Sequence, residues 1–280
     1  MLRIGQKNVL SIVKRLPQGI YLDGGKQGEI LLPNRYLTDD LKVDDVIEVF
    51  IYLDSEDRLV ATTETPYAMV DECAYLKVIA TNKVGAFLDW GLQKDLLVPH
   101  QEQRQPFKEG ESYVVYLYLD ERTNRIVATT YLDSHLSETA FYFKENQSVD
   151  LLICSKTELA YKAVIDQTHL GLLYVNEVFQ PLSVGQKING YIKKIRVDKK
   201  IDLCLQIAGT GKKDQALEVV KKSIVTHLIA NQGSSTLSDR STPEDIYATF
   251  HVSKKVFKRA LSSLYKERVV LLEGNVVTLV

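Results

Sequence analysis

Cysteine is scarce in this chain of 280 residues, and its three copies, Cys73, Cys154 and Cys204, are isolated and odd in number. That argues against a disulfide framework and against a zinc site built on cysteine pairs; the thiols are expected to be small buried hydrophobes. The five histidines are equally scattered, and positions 100, 135, 169, 227 and 251 include no short-spaced pair of the kind a metal-binding helix uses. No metal and no cofactor is expected. No apolar run approaches the roughly 20 residues that a bilayer-spanning helix needs. The start, Met1-Leu2-Arg3-Ile4-Gly5-Gln6-Lys7-Asn8, lacks the apolar core and small-residue cleavage site of a secretory signal. No membrane partner and a cytoplasmic address are therefore expected. Catalysis also lacks its usual marks, with no Ser-His-Asp ordering and no paired carboxylates in a helical frame. Gly24-Gly25-Lys26-Gln27-Gly28 has a phosphate loop's glycines without its spacing or a following helix. A hairpin turn is expected there, and an enzyme is not.

What is present is a pattern written twice. Gly19-Ile20-Tyr21-Leu22-Asp23, Leu32-Pro33 and Tyr52-Leu53-Asp54 return as Gly85-Ala86-Phe87-Leu88-Asp89, Val98-Pro99 and Tyr118-Leu119-Asp120, 66 residues on. The copies close on Arg58-Leu59-Val60-Ala61-Thr62-Thr63 and Arg125-Ile126-Val127-Ala128-Thr129-Thr130. A fixed period of this kind indicates repeated structural units. In the second copy, period-two patterning predicts five strands over residues 74–80, 84–90, 95–99, 113–119 and 125–130. Turns at Thr81-Asn82-Lys83, 91–94 and 121–124 and a longer connection at 101–110 complete an OB-type barrel. Gly19 and Gly85 sit where a strand bends or another backbone comes close. A weaker third copy spans about 147–206, with Tyr161-Lys162-Ala163-Val164-Ile165-Asp166 aligned to the Gly85 segment, so that Lys162 replaces the glycine.

Beyond residue 211 the period changes to that of helices. Leu217, Val220, Ile224 and Leu228 form one apolar stripe. Thr242-Pro243-Glu244-Asp245 is a capped helix start, Ser253 caps a further helix with Phe257, Leu261 and Leu264 facing inward, and residues 269–272 and 276–279 form a hairpin. Three helices and a hairpin make a winged helix. The third helix carries Lys254, Lys255, Lys258 and Arg259 as a ridge opposite that apolar stripe. Such a ridge is either a phosphate-contacting face or an ordinary solvated one. The hairpin turn, with Glu273 and Asn275, carries no cation, which favours RNA backbone or a protein contact over a DNA groove.

Charge is uneven along the chain. Residues 1–140 hold 15 Lys+Arg against 22 Asp+Glu, 141–211 hold 9 against 7, and 212–280 hold 11 against 7, for a formal net charge of −1. The basic end is C-terminal.

Val84-Gly85-Ala86-Phe87-Leu88-Asp89-Trp90-Gly91 and Leu96-Leu97-Val98-Pro99-His100 resemble the ribosomal S1 type of RNA-binding domain. Three such modules followed by a winged helix resemble the bacterial conserved virulence factor B family of RNA-binding regulators. The resemblance implies a mainly β chain with a C-terminal α+β module. Its domains are three tandem S1-type OB-fold barrels at 1–65, 66–140 and 141–210 and a winged-helix domain at 211–280. It also implies a binding face with two aromatics flanking the bend, a polar residue at the end of strand three, and an Asp and an Arg around the last hairpin. Tyr21, Asn34, Asp54 and Arg58 match in the first copy; Phe87, His100, Asp120 and Arg125 match in the second; Tyr161, Asn176, Asp198 and Lys200 match in the third. Gln18 and Val84 stand where the first aromatic is usual, and Val164 where the second is, so no module has the full set. Lys83, in the turn before Phe87, joins the candidate RNA contacts. Trp90 either covers a barrel mouth or stacks a base, and the Asp–Arg pairs either touch RNA or clip their hairpins.

The implied partner is single-stranded RNA, bound weakly by each module and multivalently by the chain, with DNA or a protein as alternative partners of the winged helix. A protein-binding adaptor, suggested by the acidic first half, and a winged-helix transcription factor remain the other readings.

Overall fold

The computed structural model describes residues 2–37, 41–140, 142–178, 180–206, 213–274 and 276–280. They fall into two compact units, 1–137 and 138–280. In the first unit, β1 (Lys7–Leu16), β2 (Gly19–Asp23), β3 (Glu29–Pro33), β4 (Val46–Leu53) and β5 (Leu59–Thr62) close in the order β1-β2-β3-β5-β4. A second barrel follows from β6 (Cys73–Thr81), β7 (Gly85–Asp89), β8 (Leu96–Pro99), β9 (Ser112–Asp120) and β10 (Arg125–Thr129). The second unit opens with a third, built from β11 (Ser148–Lys156), β12 (Ala160–Ile165), β13 (His169–Tyr174), β14 (Lys187–Ile195) and β15 (Ile201–Cys204).

Alternation decides what each strand buries. Ile20 and Leu22 of β2, and Ala86 and Leu88 of β7, point into their barrels, leaving Tyr21 and Phe87 half-buried on the outside. Every barrel closes through a short parallel pair, Leu31 with Val60, Leu97 with Val127, and Leu172 with Asp202. In every barrel the first strand also bulges once against the second, between Ile12 and Lys14, between Val78 and Ala80, and between Ile153 and Ser155. A bulge kinks the strand and re-aims the side chains beyond it. Here it lets the first strand wrap from β4, β9 or β14 onto the second strand.

These registers correct the third copy by two residues. Lys162 pairs with Ser155 and Leu172 as Phe87 pairs with Ala80 and Leu97, so Lys162 holds the outward aromatic's place. Ala160, opposite Tyr174, is the counterpart of Gly19 and Gly85, which lie opposite Pro33 and Pro99. Tyr161 accordingly points into the barrel and is buried.

The glycines are required by close backbone approach. A Cβ on Gly85 would lie 2.2 Å from the Val98 carbonyl oxygen, and one on Gly19 2.2 Å from that of Leu32. The glycine-rich run after β2 is a turn containing one 3-10 stretch, Gly25–Gln27, with the Gly25 amide donating to Asp23 Oδ1 at 2.8 Å.

Downstream of the third barrel, α1 (Lys213–Ala230), the two-residue β16 (Ser234–Ser235), α2 (Pro243–Phe250), α3 (Lys254–Lys266), β17 (Val270–Glu273) and β18 (Val276–Leu279) form the winged helix, with strand order β16-β18-β17. Thr242 and Ser253 cap α2 and α3 as expected, accepting from the amides of Asp245 and Val256. Val220, Ile224 and Leu228 of α1 meet Phe257, Leu261 and Leu264 of α3 in one core. The short β16 pairing was not legible in the sequence. The expected junction near 210–211 and Asn275 of the hairpin turn lie outside the described residues. No helix among the described residues is long and apolar enough to cross a membrane. Of the thiols, Cys73 is buried as expected, whereas Cys154 and Cys204 are half-buried. Burial raises the Cys154 thiol to about 11.

Gly85→Ala is expected to destabilise the first unit by about 1–3 kcal/mol through forced overpacking, read as a lowered urea midpoint of the full chain. An unchanged midpoint would show that β7 and β8 can separate freely.

Candidate nucleic-acid interface

The outward faces of β2 and β7 carry the candidate stacking rings. Tyr21 is held by its hydroxyl, which accepts from Gln18 Nε2 at 2.7 Å, and Lys14 Nζ lies 5.1 Å from its ring centroid. Gln18, at the place of an expected aromatic, thus orients one instead. Asn34 is exposed, and its side-chain amide donates to the Pro17 carbonyl. At the same place in the second barrel, exposed His100 holds the Asn82 carbonyl through Nε2 at 2.8 Å. Both polar residues brace the turn before the second strand. In the third barrel this place falls on Val175 rather than Asn176, since Val175 takes the first position after β13 as His100 does after β8.

Phe87 opens onto a groove of about 700 Å³ within the first unit. Leu31, Tyr52 and Arg58 line it from the first barrel, and Phe87, Lys94 and Asp95 from the second. Burial raises the Tyr52 hydroxyl to about 12 and also pushes the Asp95 carboxyl upward. Arg35, another lining residue, stacks its guanidinium 4.7 Å from the Tyr36 ring centroid. An apolar wall with guanidinium groups at its edge suits a base stacked beside its phosphate.

Trp90 lies where the first two barrels meet. It is buried at 3% exposure, packs edge-on against Phe50 at 5.8 Å, and donates its indole N–H to the Lys94 carbonyl. The largest side chain in the chain thus fills the seam between the first two barrels, in one core cluster with Phe50 and Tyr52. Lys94, which the sequence reading passed over, completes that seam by donating to the carbonyls of Leu53 at 3.0 Å and Asp54 at 2.6 Å. Desolvation lowers its pKa.

The hairpin pairs behave differently from one another. Arg58 does clip its own hairpin, with Nε and Nη2 donating to Asp54 Oδ2 at 2.9 and 2.7 Å, and it also meets Glu56 at 2.8 Å. Burial pushes the Asp54 carboxyl up, but hydrogen bonds from the Arg58 amide and guanidinium and the Glu56 amide outweigh it and hold the group below its ordinary value. Arg125 does not pair with Asp120, which instead binds Thr123 and the Arg122 amide. It reaches across to Asp57 of the first barrel, donating through Nε at 2.9 Å and through Nη2. In the third barrel Lys200 keeps the place of Arg58 and Arg125 and lies 3.5 Å from Glu138, while Asp198 accepts from the Lys200 amide. Tyr161, buried in the core, presents no stacking face.

In the winged helix, Lys255, Lys258 and Arg259 are exposed along α3, and Lys254 is half-buried at its start. Lys258 stands 4.0 Å from Asp239. Among the described residues, Lys83, Lys254, Lys255 and Arg259 have no carboxylate at ion-pair distance, and no group of three His, Cys, Asp or Glu side chains could hold a metal ion.

The sequence families that the chain matches agree with this architecture. The S1 domain family matches residues 4–64 and 72–131, and the CvfB-like winged helix domain family matches 222–279. Neither is an enzymatic domain type. The chain is 30% identical to the Bacillus subtilis (strain 168) protein YitL, over 98% of this chain and 93% of the relative. It is 24% identical to Conserved virulence factor B of Staphylococcus epidermidis (strain ATCC 12228), over 99% and 94% respectively. A crystallised multidomain protein with nucleic-acid-binding domains from Streptococcus pneumoniae aligns over 99% of this chain and 98% of its own, at 24% identity and a TM-score of 0.44.

Lys94→Met is expected to leave the Leu53 and Asp54 carbonyls short of a donor and to lower stability by about 1–3 kcal/mol. Urea unfolding of the full chain measures it, and a change under about 0.3 kcal/mol would show that water replaces the ammonium.

Proposed function

The chain belongs to the conserved virulence factor B family, and from that membership we propose that it is a nucleic-acid-binding regulator whose preferred ligand is single-stranded RNA. The observation that carries the reading is the repeated register of Tyr21 and Phe87. Both rings stand half-exposed at the same outward position of a closed barrel, and Phe87 opens onto the groove that Arg58 lines. A duplex keeps its bases stacked on one another, whereas a single strand can lay a base on a protein ring; such stacking is worth about 1–3 kcal/mol per base. Lys83 and the cations of α3 supply phosphate contacts, while Arg58, Arg125 and Lys200 can contribute by exchanging a carboxylate for a phosphate. The modules are individually incomplete, so useful affinity comes from engaging several on one strand.

The acidic first half favours the adaptor reading, since it repels phosphate at long range. Salt separates the two. Fluorescence-anisotropy titration of a labelled single-stranded RNA is expected to give an affinity that falls with salt at a log–log slope of about −0.7 per phosphate contacted. Phe87→Ala and Tyr21→Ala are each expected to weaken it by about 5- to 100-fold with the fold intact by circular dichroism. Duplex DNA is expected to bind more weakly than the RNA. Absence of binding at low salt would transfer the search to protein partners, and unchanged affinity in both variants would refute the stacking faces.

A further inference from the structure

The third barrel differs from the others where stacking residues are expected, and the difference has a chemical pattern. Lys162 replaces the outward aromatic and Lys200 retains the cation of the last hairpin. Both ammonium groups converge on one carboxylate, Lys162 at 2.8 Å from Glu138 Oε1 and Lys200 at 3.5 Å from Oε2. Glu138 precedes the barrel in the chain and is part of none of its strands. The segment that carries it is held at the hairpin by one isolated bridge, Thr139 to Lys200, and by the Ala140 amide donating to the Lys199 carbonyl at 3.2 Å. The three charged side chains remain 30%, 39% and 48% exposed for Lys162, Glu138 and Lys200, so an ion can reach them. Arg196, on the other side of the same hairpin turn, is already committed to Asp202 at 2.8 Å.

We infer that Lys162 and Lys200 form a phosphate-binding site for a single-stranded nucleic acid, which Glu138 occupies in the free protein as an internal substitute for the phosphate. A carboxylate presents two oxygens to two lysines much as a phosphate presents two of its own. Partly exposed ion pairs contribute little net stability, so the exchange of one anion for another is nearly balanced. A phosphate brings a strand already held by the other modules, and its high local concentration favours the exchange. The hydrogen bond from Lys162 holds the Glu138 carboxyl below its ordinary value, so the internal anion keeps its charge to lower pH than a free glutamate. The third barrel therefore grips backbone where the first two stack bases. This inference rests on the nucleic-acid reading above for its ligand, though not for its geometry.

The test uses the full chain with Glu138→Gln, and with Glu145→Gln as a control that removes an exposed carboxylate from the same unit. Inorganic tripolyphosphate and a labelled single-stranded RNA are titrated in parallel. Glu138→Gln is expected to tighten both by about 3- to 10-fold, as relief of one to two partly exposed ion pairs allows, and Glu145→Gln by less than about 2-fold. Adding Lys162→Ala and Lys200→Ala to Glu138→Gln is expected to abolish the gain. If Glu138→Gln matches the control for both ligands while wild type binds RNA, this inference is overturned and the proposed function stands. A gain for tripolyphosphate without one for RNA overturns the nucleic-acid ligand and leaves an anion site.

Discussion

Closure of a five-stranded sheet on itself is the constraint from which the rest of the molecule follows. To close, the first strand must pair with the fourth at one end and the second at the other, and the bulge in β1, β6 and β11 provides the bend. Once the bulge is placed, the register of the second strand is set, and so is the identity of its outward side chain. Tyr21, Phe87 and Lys162 owe their common position to this geometry. The same closure brings β2 against β3 and β7 against β8 so tightly that only glycine fits at positions 19 and 85.

Charge is managed locally. Arg58, Arg125 and Lys200 hold equivalent positions in their barrels, and each faces a carboxylate: Asp54 in its own hairpin, Asp57 in the preceding barrel, and Glu138 in the preceding segment. A chain with a formal net charge of −1 can in this way carry a cation at the same place in every barrel without an overall positive field. Under the proposed function, binding exchanges one anion for another and is expected to be modest at each module, so that affinity comes from engaging several.

Much of the fold was legible because repetition amplifies weak signals. The five strands of the second copy, the glycine bends, the capped helices at Thr242 and Ser253 and the inward stripe of α3 all follow from patterning and turn chemistry. The third barrel's register was not. Alternation repeats every two residues, so a shift of two keeps the inward and outward sets nearly unchanged, and only the bulge between Ile153 and Ser155 distinguishes the registers. Pattern alone therefore aligns Tyr161 with Val84, ahead of the second strand, whereas the pairing makes it the counterpart of inward Ala86. Trp90 and Lys94 belong to a seam between two repeats, which the pattern within one repeat cannot reveal, and the Arg125–Asp57 pair spans 68 residues for the same reason.

The most direct test of the account is ultraviolet cross-linking of the full chain to a single-stranded RNA carrying 4-thiouridine, with the attached peptides identified by mass spectrometry. Cross-links at Phe87 and Tyr21, lost on competition with unlabelled single-stranded RNA and retained against duplex DNA, are the expected result. Cross-links confined to the winged helix, or none at all under conditions where RNA is bound, would contradict the assignment of the barrel faces.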